Sequence, residues 1–283
     1  MKKYTVIFRN AIAIALFTVV FYGCKKEEKL ESSDTESSSD HSLAEAAFND
    51  VANIADEAAD SGVVSSYKRQ NSNQVLSVLS NCAMVTRDTV SNPHLITVDF
   101  GINNCVGADG KNRRGKILIS YTGKYKDAGT VIHISFDNYF VNDNQLAGTK
   151  TITNNGLNAA GHISYSIKVD GNIILANNGG VITWVSDRTR EWLEGYATDD
   201  RKDDVYSITG NGSGVSARGI SYTALIINPL IKKMASGCKH FVSGSIEITP
   251  KGKLTRTIDF GGGGCDDEAT VTVGKSTRTI TLK

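Results

Sequence analysis

Both tryptophans of the chain, Trp184 and Trp192, fall in one stretch that mixes aromatic and basic side chains. If 184–196 is a single extended strand, Trp184, Arg188, Arg190, Trp192, Glu194 and Tyr196 share one face. Aromatic rings beside forked guanidinium donors suit stacking on sugar rings or capture of an acidic partner. The same pattern also suits a cation–π ladder internal to the fold, and a turn at Asp187-Arg188 would break the shared face. Trp184, Arg188, Arg190, Trp192 and Tyr196 are therefore the candidate binding residues, for a glycan or a protein ligand.

Other chemistry-bearing residues form no recognisable catalytic set. The five histidines, at 41, 94, 133, 162 and 240, are scattered and none lies in an HxxxH or HExxH frame. No GxSxG elbow is present. Gly210-Asn211-Gly212-Ser213-Gly214 lacks the lysine and following helix of a phosphate loop, and reads as a turn. Asp199, Asp200, Asp203 and Asp204 surround Arg201-Lys202, which competes with any cation, so this cluster reads as a solvated loop. Asp99-Phe100-Gly101 and Asp259-Phe260-Gly261 lack the companion motifs of a kinase and read as strand ends before a glycine bulge. No catalytic residue, metal or cofactor is assigned, and the chain is not read as an enzyme.

Cysteine carries the remaining chemistry. Cys24 follows a basic start (Lys2, Lys3, Arg9), an apolar run from Ala11 to Phe21, and Tyr22-Gly23. That is the layout of a secretory signal, too short for a stable membrane span. A cysteine at the cut resembles a lipobox, which implies lipidation of Cys24 and anchoring to a membrane. The Lys-Glu-Glu step after it is similar to the surface-export signal of Bacteroidota lipoproteins, which implies an outer-membrane, cell-surface address. Removing the three basic residues of 1–23 leaves 28 Lys and Arg against 30 Asp and Glu. Near-neutral charge gives no reason to expect nucleic acid.

The other four cysteines bound two matching segments. Cys82 precedes Val98-Asp99-Phe100-Gly101 and then Cys105; Cys238 precedes Ile258-Asp259-Phe260-Gly261 and then Cys265. A hairpin centred between Pro93 and His94 sets Cys82 opposite Cys105, Val85 opposite Ile102 and Arg87 opposite Phe100. A three-residue loop at Pro250-Lys251-Gly252 sets Ile248 opposite Leu254, with a bulge within 261–264 aligning Cys238 with Cys265. In an oxidising compartment these registers predict the disulfides Cys82–Cys105 and Cys238–Cys265.

These groups must be held by the elements between them. Residues 24–42 are acidic, Ser-rich and poor in apolar side chains, and read as a flexible tether after the 1–23 signal. In 43–283 a helix comes first: Leu43, Ala47, Val51, Ile54 and Ala58 recur at helical spacing, with Ser42 and Glu45 as a capping box. A short second helix is expected over Gln74–Leu79. Beyond Cys82 the pattern changes to period two, in runs rich in Val, Ile, Thr, Tyr and Phe separated by Gly, Asn and Asp. The spacing is too short for βαβ crossovers. The fold expected is mainly β: a large antiparallel meander sheet, curved or two-layered, with the helix packed on it.

Phe136-Asp137-Asn138-Tyr139, Ile182-Thr183-Trp184, Thr189-Arg190-Glu191-Trp192, Asp204 to Gly210 and the Cys-bounded hairpins resemble a group of uncharacterised Bacteroidota lipoproteins. That resemblance covers most of the chain after about residue 45 and implies a cell-envelope address without a chemistry. The function expected is non-catalytic surface binding or scaffolding. The alternatives are a glycan-directed hydrolase, or a lipid or acyl-chain carrier built on a curved sheet. A large apolar cavity would favour the carrier. Paired carboxylates in a cleft would favour the hydrolase. Exposed aromatics on a flat face would favour the binder.

Overall fold

The computed structural model describes residues 35–60, 79, 82–198 and 200–282. The signal with Cys24, the tether as far as residue 34, nearly all of the expected second helix and Asp199 lie outside the described residues.

Alternating apolar residues with Gly and Asn turns give fourteen strands: β1 (Met84–Asp88), β2 (His94–Asp99), β3 (Cys105–Val106), β4 (Asn112–Tyr121), β5 (Val131–Val141), β6 (Asn144–Leu157), β7 (Ile163–Ile174), β8 (Val181–Glu194), β9 (Val205–Val215), β10 (Ser221–Lys233), β11 (Ser243–Pro250), β12 (Arg256–Gly262), β13 (Glu268–Val273) and β14 (Ser276–Thr281). They form one antiparallel meander in chain order, with β3 set aside as an extra partner of β4. The sheet does not close into a barrel.

One helix, α1 (Glu36–Asp60), lies against this sheet. It touches β2, β4, β7, β8 and β11. Laid flat, β2 to β11 would span close to 40 Å at about 4.8 Å per strand, whereas a helix is about 10–12 Å wide. The sheet must therefore curl round α1 as a trough. The burial pattern agrees: Ala44, Ala47, Phe48, Val51, Ile54, Ala55 and Ala58 are buried, and as far as Asn53 exposure is confined to a narrow stripe through Ser39, Ser42, Leu43, Ala46, Asn49 and Asn53. Alanines let the sheet approach closely, and Gly171 makes room for the Phe48 ring, which a Cβ there would meet at 2.1 Å.

The helix begins seven residues before the expected start, so Glu36 to Ser42 belong to the fold and not to the tether. Ser42 is within the helix and forms no N-terminal cap there. The reason is electrostatic. Asp40 accepts the Ala217 N–H at 2.7 Å, and Glu36 pairs with Arg218 at 3.1 Å. Further along, Glu45 faces Arg188 at 3.8 Å, Asp50 is bound by Arg113 and Lys111, and Asp56 meets Arg201 at 3.0 Å. The helix is an anionic rod in a cationic trough.

Both cysteine pairs stand at disulfide distance, with Cα separations of 5.9 Å for Cys82–Cys105 and 4.6 Å for Cys238–Cys265. The register that led to the first pair differs from the one observed. Val85 faces Val98 and Arg87 faces Ile96, because Asp88 accepts the Val90 and Ser91 N–H groups and turns the chain two residues early. Cys105 reaches Cys82 from β3, after the 101–104 loop, and not from the hairpin itself. In the second copy Ile248 faces Arg256 and not Leu254. The extra residue there lies between Asp259 and Gly262, overlapping the expected bulge. The repeat is real at atomic level: Asp99 Oδ1 accepts the Gly101 N–H and Asp259 Oδ1 accepts the Gly261 N–H, each at 2.8 Å.

Candidate functional site

Strand β8 is unbroken from Val181 to Glu194, so no turn interrupts Asp187-Arg188. Trp184, Arg188, Arg190 and Trp192 do share a face, and it is the concave one. Trp184 is 3 % exposed and Trp192 5 %, so this strand offers no exterior stacking surface. Tyr196 lies beyond the strand in an exposed turn. The expectation of an outward-facing platform fails because strand periodicity assigns residues to two faces without saying which face the curl encloses.

Inside the trough these side chains divide into two groups. Towards the helix N-terminus, Trp184 Nε1 donates to His41 Nδ1 at 3.2 Å, which leaves the His41 proton on Nε2, 3.4 Å from Glu45. Burial works against the Glu45 charge, but the hydrogen bond from His41 and the charges of Arg188 and Lys150 outweigh it and hold the carboxyl at about 2. Burial pushes the Lys150 ammonium, which donates to the Phe48 carbonyl at 2.9 Å, down to about 8. Strand β9 explains the space here. Gly210, Gly212 and Gly214 sit on its inner face, directly opposite Arg188, Ser186 and Trp184. The glycine run is therefore strand and not turn: a Cβ at Gly210 or Gly214 would collide with β8, 2.2 Å from the Asp187 carbonyl oxygen and 2.3 Å from the Thr183 carbonyl oxygen.

Towards the helix C-terminus, Arg190 lies over Tyr206, Tyr165 and Tyr125 with its guanidinium carbon 4.8, 5.1 and 5.7 Å from the ring centroids. This is the internal cation–π arrangement. Tyr125 stacks on Tyr165 at 4.7 Å, and Trp192 tilts against Tyr206 at 5.5 Å. Asp204 is 3 % exposed and not part of a solvated loop. Its carboxylate accepts Trp192 Nε1 at 3.0 Å and the Tyr206 hydroxyl at 2.9 Å, and burial raises its pKa.

Next to this cluster the described residues leave part of the trough unfilled. A cavity of about 730 Å³ opens at the end where β4 turns into β5 and β8 into β9. Its floor is two cross-strand rows. Ile96, Ile119 and Ile134 face one another on β2, β4 and β5; Tyr121, Ile132 and Ile152 do so on β4, β5 and β6. Ala55, Asp56 and Ala59 of α1, with Trp192 and Tyr206, form the walls. The rim is the 123–127 loop on one side, and Thr198 and Arg201 on the other. Asn154 holds the loop by donating to the Tyr125 carbonyl at 2.9 Å. Lys126 ties the two sides by donating to the Tyr196 and Thr198 carbonyls, both at 3.0 Å.

Sequence reasoning singled out Trp192 and Asp204 of this lining and missed the isoleucines and Tyr125. The isoleucines were legible as strand residues, but nothing in an alternating pattern marks which of them face a void. Among the described residues no group of three or more His, Cys, Asp or Glu is placed to hold a metal ion, and no helix is long and apolar enough to cross a membrane. No family model, curated protein or solved structure matches the chain.

Proposed function

We propose that the chain is a non-enzymatic binding protein of the bacterial cell envelope, anchored through lipidated Cys24 at the outer membrane, that holds one apolar small molecule in the trough cavity. The address rests on the signal-like start and the resemblance to Bacteroidota lipoproteins. The binding role rests on one observation: a cavity of about 730 Å³ whose lining includes five isoleucines and four aromatic rings, within the 300–1,000 Å³ range of ligand sites.

The hydrolase alternative draws less support. Both oxygens of Asp204 already hold donors, and Asp56 is engaged by Arg201. An outward glycan platform loses its two indoles to the interior. Of the original readings, the carrier is the one that an apolar cavity favours.

The test is one preparation with two readouts. Cys24→Ser should move the protein out of the membrane fraction or block its maturation; unchanged fractionation would remove the anchor. The purified full chain, titrated with the neutral dye phenylnaphthylamine, should bind one molecule saturably. Ile152→Trp, which fills the cavity floor, should weaken that binding at least about tenfold while the protein stays folded, tenfold being 1.4 kcal/mol. Absence of saturable binding, or binding indifferent to Ile152→Trp, would overturn the reading.

A further inference from the structure

The cavity has a shape and a charge as well as an apolar lining. Its two cross-strand rows run perpendicular to the strands, and at about 4.8 Å per strand each is about 10 Å long. Parallel rows of isoleucine make a slot that fits an extended chain better than a disc-shaped ring system.

Four cations stand around this slot: Arg87, Lys124, Lys126 and Arg201. Two are engaged with α1. Arg87 donates to the Ala58 and Ala59 carbonyls at the negative end of the helix, and Arg201 pairs with Asp56. Among the described residues Lys126 donates to two neutral backbone carbonyls and pairs with no carboxylate, and it stands 5.2 Å from the centroid of the Trp192 ring. Lys124 is exposed on the same rim and, among the described residues, no carboxylate pairs with it. The opposing charge in this loop is the single carboxylate of Asp127. Across the described lining these four cations face three carboxylates, Asp56, Asp127 and Asp204, so the apolar slot ends at a rim with one positive charge in excess.

We infer that the ligand is a single-chain amphipathic anion, a fatty-acid-type carboxylate, with its chain along the isoleucine rows and its head at Lys124 and Lys126. This rests on the cavity-binding reading above. Ammonium groups at the mouth provide charge-assisted hydrogen bonds to a carboxylate while leaving it partly hydrated, so little desolvation opposes them. A neutral apolar molecule would use the slot and ignore the rim.

The experiment compares dansyl-undecanoate with its methyl ester on the purified full chain, with phenylnaphthylamine as the neutral control. The acid should bind about tenfold or more tightly than the ester, and added salt should narrow the gap. Lys124 engages no described carboxylate, so Lys124→Glu should leave the protein folded, and it should erase the preference for the acid over the ester. Equal affinity for acid and ester in the wild type would overturn the headgroup assignment while the cavity reading stands. So would an acid preference that survives both Lys124→Glu and Lys126→Gln. Failure of all three probes would overturn the cavity reading itself.

Discussion

Arg113→Ala is expected to destabilise the fold by about 3–5 kcal/mol, the usual cost of removing one partner from a buried ion pair. Arg113 is fully buried on β4. Its guanidinium meets both oxygens of Asp50 at 2.9 and 3.0 Å and Asp109 at 2.6 Å. Burial disfavours its charge, yet these two carboxylates raise its pKa. Without it, Asp50 keeps Lys111, at 2.8 Å, as its one cation among the described residues, and one of the ties between α1 and the trough is lost. Urea unfolding should show the drop as a lower midpoint. Arg113→Lys should recover only part of it, because an ammonium cannot serve two carboxylates in a bidentate way. A midpoint unchanged in Arg113→Ala would contradict the picture of an anionic helix held by a cationic trough.

Acidification should attack the same contact surface at Glu45. Its folded pKa, about 2, lies below its ordinary value of 4.5, so the unfolded chain binds the proton more readily. The stabilisation is therefore complete above pH 4.5 and is lost as pH falls towards 2. At 1.36 kcal/mol per pH unit the loss is about 3 kcal/mol. Glu45→Gln should remove that acid limb and lower stability at neutral pH, since Arg188, only 4 % exposed, would lose its carboxylate. Stability measured from pH 7 to pH 2.5 on both proteins checks this. An acid limb of equal size in Glu45→Gln would assign the effect to other carboxylates.

These two sites show where the sequence could be read and where it could not. Period-two alternation and short Gly and Asn turns made the meander legible, since each hairpin is a local event. The matching Asp-Phe-Gly segments were legible for the same reason, and the bonds from Asp99 to Gly101 and from Asp259 to Gly261 are local too. The cysteine partners were named correctly from a register that was off, because β3 brings Cys105 back by a route that no hairpin count contains.

Long-range electrostatics were not legible. Glu36 and Asp40 look like part of an acidic tether, and Glu45 like a capping residue, until Arg218, the Ala217 amide and Arg188 arrive from residues far along the chain. The inner glycines of β9 read as a turn because the groups that require them, the Asp187 and Thr183 carbonyls and the Tyr222 ring, belong to other strands. The cavity was the least legible feature. It depends on how far fourteen strands curl, and on the small Ala55 and Ala59 that face it from the last turns of α1.

The most direct test of the account is a crystal structure of the full chain grown with a bromoalkanol, read by the anomalous signal of bromine. A neutral alkyl chain tests the slot without the rim charges. The account predicts one strong bromine peak within the trough, among Ile119, Ile134 and Ile152, with Trp192 and Tyr206 beside it. Bromine found only on the convex face, or isoleucine rows closed against α1 with no space between them, would contradict it.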